Sequence, residues 1–138
     1  MRFVQLSAMT IRERSCGDVV VLDVEGSLSA TDSARPLRAV IEALVREHRS
    51  RIILNMERVP YLDSTGLADV VEAFHATRRA GGALKLVHLT RRVRELLTLT
   101  TLLNVLEVFD AEADAVASFG PTPSSEECRI VIDGVNDA

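Results

Sequence analysis

Aromatic residues are scarce in this chain: 138 residues hold no tryptophan, one tyrosine (Tyr61) and four phenylalanines, and Lys85 is the single lysine among 16 basic side chains. Net charge is −4 at pH 7. A nucleic-acid binder needs a basic face, and single-strand binders add aromatic stacking platforms, so both shortages disfavour that class. The arginines that do cluster, Arg78-Arg79 and Arg91-Arg92 with Arg94, read as solvated helix charge or as a local positive surface. Only two cysteines are present, Cys16 and Cys128, far apart and in no metal-ligand spacing, and no charged-then-apolar leader opens the chain. A reducing cytoplasm is the expected setting. No apolar run approaches the roughly 20 residues that a membrane helix needs. His48, His75 and His88 fall on separate expected elements without carboxylate or cysteine at ligand spacing, so no metal is expected. Gly81-Gly82 lacks the Gly-x-Gly-x-x-Gly pattern and a following Lys-Ser pair, so no nucleotide cofactor is expected either.

With 47% hydrophobic and 26% charged residues the chain has the make-up of a soluble globular protein, long enough for one domain and short for two. Gly17-Asp18 between the β-branched stretches 9–14 and 19–24 predicts a hairpin. Leu37, Val40, Ile41, Leu44 and Val45 recur at helical spacing, with Asp32 or Ser33 as cap and Pro36 in the first turn, where its missing N–H is harmless. Ile52-Ile53-Leu54 is the continuous run of a strand covered on both faces. A second helix follows, with Leu67, Val70, Val71 and Phe74 on its apolar stripe and a stop at Gly81-Gly82. The spacing then predicts a strand over 83–89, with Leu84 and Leu86 opposite Val87 and Leu89. A third helix on Val93, Leu96 and Leu97 runs on less regularly through Leu102-Leu103. A last strand near 105–109 leads through Asp110, a candidate cap, into a helix over 112–119. Strands alternating with helices after a hairpin imply an α/β domain, a mixed four- to five-stranded sheet with about four helices packed on it. The expected boundaries are an N-terminal extension over 1–9, the domain over 10–119, and a tail over 120–138. In the tail a short strand at 128–133 could add to a sheet edge of its own protomer or a neighbour, or the whole tail could be flexible.

The densest chemistry lies in Pro60-Tyr61-Leu62-Asp63-Ser64-Thr65-Gly66-Leu67, where a strand's exit becomes a helix. Asp, Ser and Thr are good N-cap types, and a helix start offers free N–H groups and partial positive charge, so a phosphate on Ser64 would be tolerated electrostatically. Simple capping is the bland alternative. A hydrolase set of Asp63, Ser64 and His88 fails on local chemistry: Leu62-Asp63-Ser64-Thr65-Gly66 is no Gly-x-Ser-x-Gly elbow, and an aspartate adjacent in sequence is a poor base for the serine.

The order strand, Asp63-Ser64-Thr65-Gly66-Leu67, helix, Gly81-Gly82, strand, Leu89-Thr90-Arg91-Arg92-Val93 resembles the STAS domains of bacterial anti-sigma factor antagonists over about residues 10–119. In that family the serine after the aspartate is phosphorylated by a partner serine kinase, a position occupied here by Ser64. The resemblance implies a non-enzymatic binding module. Unphosphorylated, it would capture an anti-sigma factor that is also a kinase of the histidine-kinase-like ATPase type, freeing a sigma factor. A serine phosphatase would reset it. Partner contact is then expected at Asp63, Ser64, Thr65 and Gly66, and in the loop Gly26-Ser27-Leu28-Ser29. Two departures stand out: Ala68 where the family often has glycine, and Ser29 where many members carry an aspartate that helps contact the kinase. The other readings are a constitutive scaffold or sensor subunit in which Ser64 is never phosphorylated, and a small-ligand module at the same sheet edge.

Overall fold

A computed structural model describes residues 3–6, 9–26, 36–120, 128–132 and 135–136. In chain order the elements are β1 (Phe3–Leu6), β2 (Met9–Cys16), β3 (Val19–Glu25), α1 (Pro36–Arg46), β4 (Arg51–Arg58), α2 (Ser64–Arg79), β5 (Ala83–Val87) and α3 (Arg91–Leu99). A 3-10 turn (Leu102–Asn104), β6 (Glu107–Phe109), α4 (Glu112–Ser118), β7 (Cys128–Ile132) and β8 (Val135–Asn136) complete the fold. Gly17, at φ +59°, supplies the left-handed backbone that lets β2 fold back on β3 in two residues, pairing Cys16 with Val19. From β3 to β6 each strand is followed by a helix, and β3, β4, β5 and β6 are parallel neighbours, the arrangement that helical crossovers allow. The five strands β6-β5-β4-β3-β2 are the body of the sheet, with four helices against it. β1 and β7 share the outer edge of β2, and β8 pairs with β7.

The alternation expected of a strand buried on both faces is seen in β4. Ile52 and Leu54 pack with Leu37, Ile41 and Leu44 of α1, Val70 and Phe74 of α2, and Val93 and Leu97 of α3. Ile53 points to the other face, among Val21, Val87, Cys16 and the Ala115 and Val116 side chains of α4. Three helices therefore cover one face and α4 covers part of the other. Each fully buried Ile or Leu contributes about 1.5–3 kcal/mol relative to exposure.

Several local expectations need correction. β5 ends at Val87, because His88 takes φ +59° and turns the chain, so Leu89 packs with the helix-covered face that Leu84 and Leu86 also use, opposite Val87. The last strand is shorter than 105–109, since Val105 closes the 3-10 turn. Asp110 is not the cap of α4; Ala111 holds that position, with no side-chain cap bond. α1 begins at Pro36, as a proline in the first turn allows, whereas Asp32 and Ser33 lie outside the described residues. The two glycines after α2 have different duties. Gly81 carries φ +88°, while at Gly82 a Cβ would overlap the carbonyl of Ser50, whose oxygen accepts from Ala83 N at 2.9 Å. No helix among the described residues is long and apolar enough to cross a membrane.

Candidate functional site

The exit of β4 aims the chain at the site. Pairing with β3 slips between Asp23↔Asn55 and Glu25↔Arg58, placing one extra residue on β4, a bulge that bends the strand. Asn55 staples it: its Oδ1 accepts from Glu57 N at 3.1 Å and its Nδ2 donates to Asp23 Oδ1 at 2.8 Å. Gly26 N donates to Arg58 O at 3.0 Å, so the ends of β3 and β4 are tied side by side; Thr90 holds the loop after β4 in turn. This residue ties that loop to α3, donating its hydroxyl to Val59 O at 3.1 Å while accepting from Val93 N at 3.4 Å as N-cap.

At the end of this loop α2 begins at Ser64. Asp63 is its N-cap: in extended backbone (φ −99°, ψ −171°) it accepts from Gly66 N at 3.0 Å through Oδ1, and its carbonyl accepts from Leu67 N at 2.8 Å. Since Asp63 caps the helix, Ser64 is released from that duty. Ser64 is exposed, and its hydroxyl enters no hydrogen bond among the described residues. Thr65 is half-buried and Gly66 buried beneath it. The first turn of α2 contains no acidic residue, so the only carboxylate in the motif is the one already spent on the cap. Asp63, Ser64, Thr65 and Gly66 are thus brought together at one helix start, while Ser27 and Ser29 lie outside the described residues. His88 is half-buried just past β5.

Beside the motif lies a shallow, mostly apolar groove of about 200 Å³ lined by Tyr61, Leu62, Arg92, Glu95, Leu96 and Leu99. Leu99 is 82% exposed and Tyr61 44% exposed, with the Arg92 guanidinium over the Tyr61 ring at 5.9 Å. Sequence periodicity missed this surface. Its signal was Leu99, an apolar residue off the buried stripe of Val93 and Leu97, together with the lone tyrosine in a loop.

A larger concavity, about 460 Å³, lies elsewhere, on the half of the sheet face that α4 leaves open, lined by Thr10, Arg12, Arg14, Asp23, Glu25, Asn55, Glu57 and Arg58 among others. Its three arginines face three carboxylates, so it selects no charge. Arg14 is a strut there, held by Asp23 (Nε–Oδ2 2.6 Å) and Glu112 (Nη2–Oε1 2.7 Å). Burial works against its charge, but the hydrogen bonds and charges of Asp23 and Glu112 outweigh that and raise its pKa. Ser64 is the candidate site, where an exposed hydroxyl, the helix start and the apolar groove coincide.

The STAS domain family matches residues 10–115. The anti-sigma F factor antagonist of Paenibacillus polymyxa is 22% identical over 98 residues, covering 71% of this chain and 84% of the relative. The anti-sigma-B factor antagonist of Bacillus subtilis (strain 168) is 33% identical over 76 residues, 55% of this chain and 69% of the relative. Among solved structures, an anti-sigma factor antagonist from Mycobacterium paratuberculosis aligns with a TM-score of 0.72 at 19% identity, over 85% of this chain and all of that one. SpoIIAA of Bacillus, solved unphosphorylated and phosphorylated, gives TM-scores of 0.66 and 0.61 at 21% and 20% identity, over 78% of this chain and 94% and 97% of those chains. At such identities the structural likeness speaks for the fold alone. The family match is independent of it and runs from the second strand into the last helix, so the chain belongs to the STAS domain family, alongside relatives named as anti-sigma factor antagonists.

Proposed function

We propose that this protein is an anti-sigma factor antagonist switched by phosphorylation of Ser64. In its unphosphorylated form it binds an anti-sigma factor that is also a serine kinase of the histidine-kinase-like ATPase type, and so frees a sigma factor in the cytoplasm. The protein performs no chemistry of its own; the kinase adds the phosphate and a serine phosphatase removes it. The observation that carries this reading is the exposed Ser64 hydroxyl at the first position of α2, left free because Asp63 supplies the cap.

A phosphate brings about −1.5 to −2 charges. Within the domain the helix start accepts that charge, but together with Asp63 it opposes docking onto a partner surface shaped for the neutral serine. Asp63, Thr65 and Gly66 frame the contact, and Ser27 and Ser29 join it; what supports their part is the neighbouring Gly26, whose N–H donates to Arg58 O near the exit of β4. The test is calorimetry against such a kinase, with mass spectrometry of the wild type after incubation with ATP. Ser64→Ala should bind and resist modification; Ser64→Asp should bind about tenfold or more weakly, a loss of roughly 1.4 kcal/mol. Equal affinities for wild type and Ser64→Asp, with no phosphate found on Ser64, would favour a constitutive scaffold or sensor subunit.

A further inference from the structure

The outer edge of β2 is covered by two different pieces of chain. β1 takes the first half, Phe3↔Arg12 to Leu6↔Met9, and β7 takes the second, through Arg14↔Ile130, Ser15↔Arg129 and Cys16↔Cys128. An open strand edge is a template for pairing with another chain, so β7 has a protective place, yet these three pairs are its register on β2. So short a ladder adds few hydrogen bonds, and a covalent tie to β2 would strengthen the hold on β7.

Cys16 is 1% exposed and packs with Val19, Val21, Ile53, Val87, Ala115 and Val116. It is disulfide-bonded, the chain has one other cysteine, Cys128, and that residue stands directly across from it in the register. Directly opposed residues of antiparallel strands have Cα atoms about 4.5–5.5 Å apart, within the span a disulfide bridges.

We propose that Cys16 and Cys128 form a reversible redox modification site, a clasp that holds β7 on the edge of β2 when oxidised and releases it when reduced. Its reductant is a dithiol. One thiolate attacks a sulfur of the clasp and forms a mixed disulfide; the second thiol resolves it. Cys16 and Cys128 leave as two thiols carrying two electrons and two protons, and the dithiol leaves as a disulfide; run in reverse, the same exchange with a small-molecule disulfide as oxidant re-forms the clasp and releases two thiols. Fraying of the short β7 gives the reductant access to a bond whose other half is buried. This fits a reducing compartment better than a permanent staple, since disulfides there are transient or redox-sensing.

The full-length chain tests it through trypsin cleavage after Arg129, within β7. After equilibration in an oxidising glutathione buffer, both cysteines should resist alkylation and intact mass should be lower by two hydrogens than after dithiothreitol. Reduction should speed cleavage after Arg129 about tenfold and leave cleavage after Arg51, in the central strand β4, unchanged. Cys128→Ser should behave like the reduced wild type with or without dithiothreitol. Alkylation of both cysteines in the oxidised sample would overturn the clasp. So would equal Arg129 rates in the two states, which would mean that pairing alone holds β7. A rise at Arg51 in step with Arg129 would mean global loosening and likewise overturn it. Should Cys128→Ser fail to fold, the wild-type comparison decides.

Discussion

Asp63 and Ser64 are adjacent and both suit a helix start, yet they have separate tasks. The Asp63 carboxylate accepts from Gly66 N, whereas the Ser64 hydroxyl has no such bond. Asp63→Ala should therefore lower stability by about 1 kcal/mol, within the 0.5–2 range for lost caps. Ser64→Ala should stay within about ±0.5 kcal/mol, as a surface change does. Thermal melts of the two variants read the difference directly, and a larger loss for Ser64→Ala would make Ser64 the cap and weaken the case for a spare hydroxyl. Lys85 shows how far a single side chain can depart from its type. The only lysine is 5% exposed, with Nζ 2.6 Å from Ser118 Oγ and 4.3 Å from the centre of the Phe119 ring, so it fastens α4 to β5 through a hydrogen bond and a cation–π contact.

Between elements, the joint from α2 into β5 depends on a close approach. Gly82 N donates to Thr77 O at 2.8 Å, and Ala83 N to Ser50 O at 2.9 Å; together they start β5 in register with β4. A methyl group at Gly82 meets backbone rather than a yielding side chain, so β5 would have to shift against the strand it pairs with. Gly82→Ala should destabilise by about 2–3 kcal/mol, the scale of overpacking a dense interior. Denaturant melts with an unchanged slope would check it, and a loss below about 0.5 kcal/mol would show that the joint can open. Thr90 works at the same scale, capping α3 while holding the loop that carries Tyr61 and Ser64. Thus α2 and α3 present the motif and the groove as one surface.

For the molecule as a whole, the described core residues, including the partly buried Phe119, lie between Ile11 and Phe119. A chain ending at Gly120 should therefore fold. Under reducing conditions its melting temperature should fall by less than about 5 °C, roughly 1 kcal/mol for a domain of this size. A larger fall would make β7 part of the core instead of an edge cover. The charge map also acts at this scale: Arg14 joins β2 to β3 and α4 through Asp23 and Glu112, and Arg49 reaches Glu13, 4% exposed on β2, at 2.7 Å. Arginines that look like surface charge in sequence thereby become ties between layers.

The sequence by itself determined the order and kind of the elements from the hairpin to α4, the two-faced burial of β4, and the place of Ser64 at a helix start. These rest on local rules: apolar spacing, turn residues and cap chemistry act within a few residues and leave a periodic trace. Tertiary structure decided what depends on residues far apart in the chain. It chose Asp63 over its neighbours as the cap, because Asp63 takes the extended backbone from which its Oδ1 accepts from Gly66 N. It buried Lys85, because α4 closes over that face of the sheet. It made a groove of Tyr61 and Leu99, which periodicity assigns to no common face, because Thr90 fastens their two segments together. It also set Cys16 opposite Cys128, since a strand's register with a partner more than a hundred residues away leaves no local pattern to read.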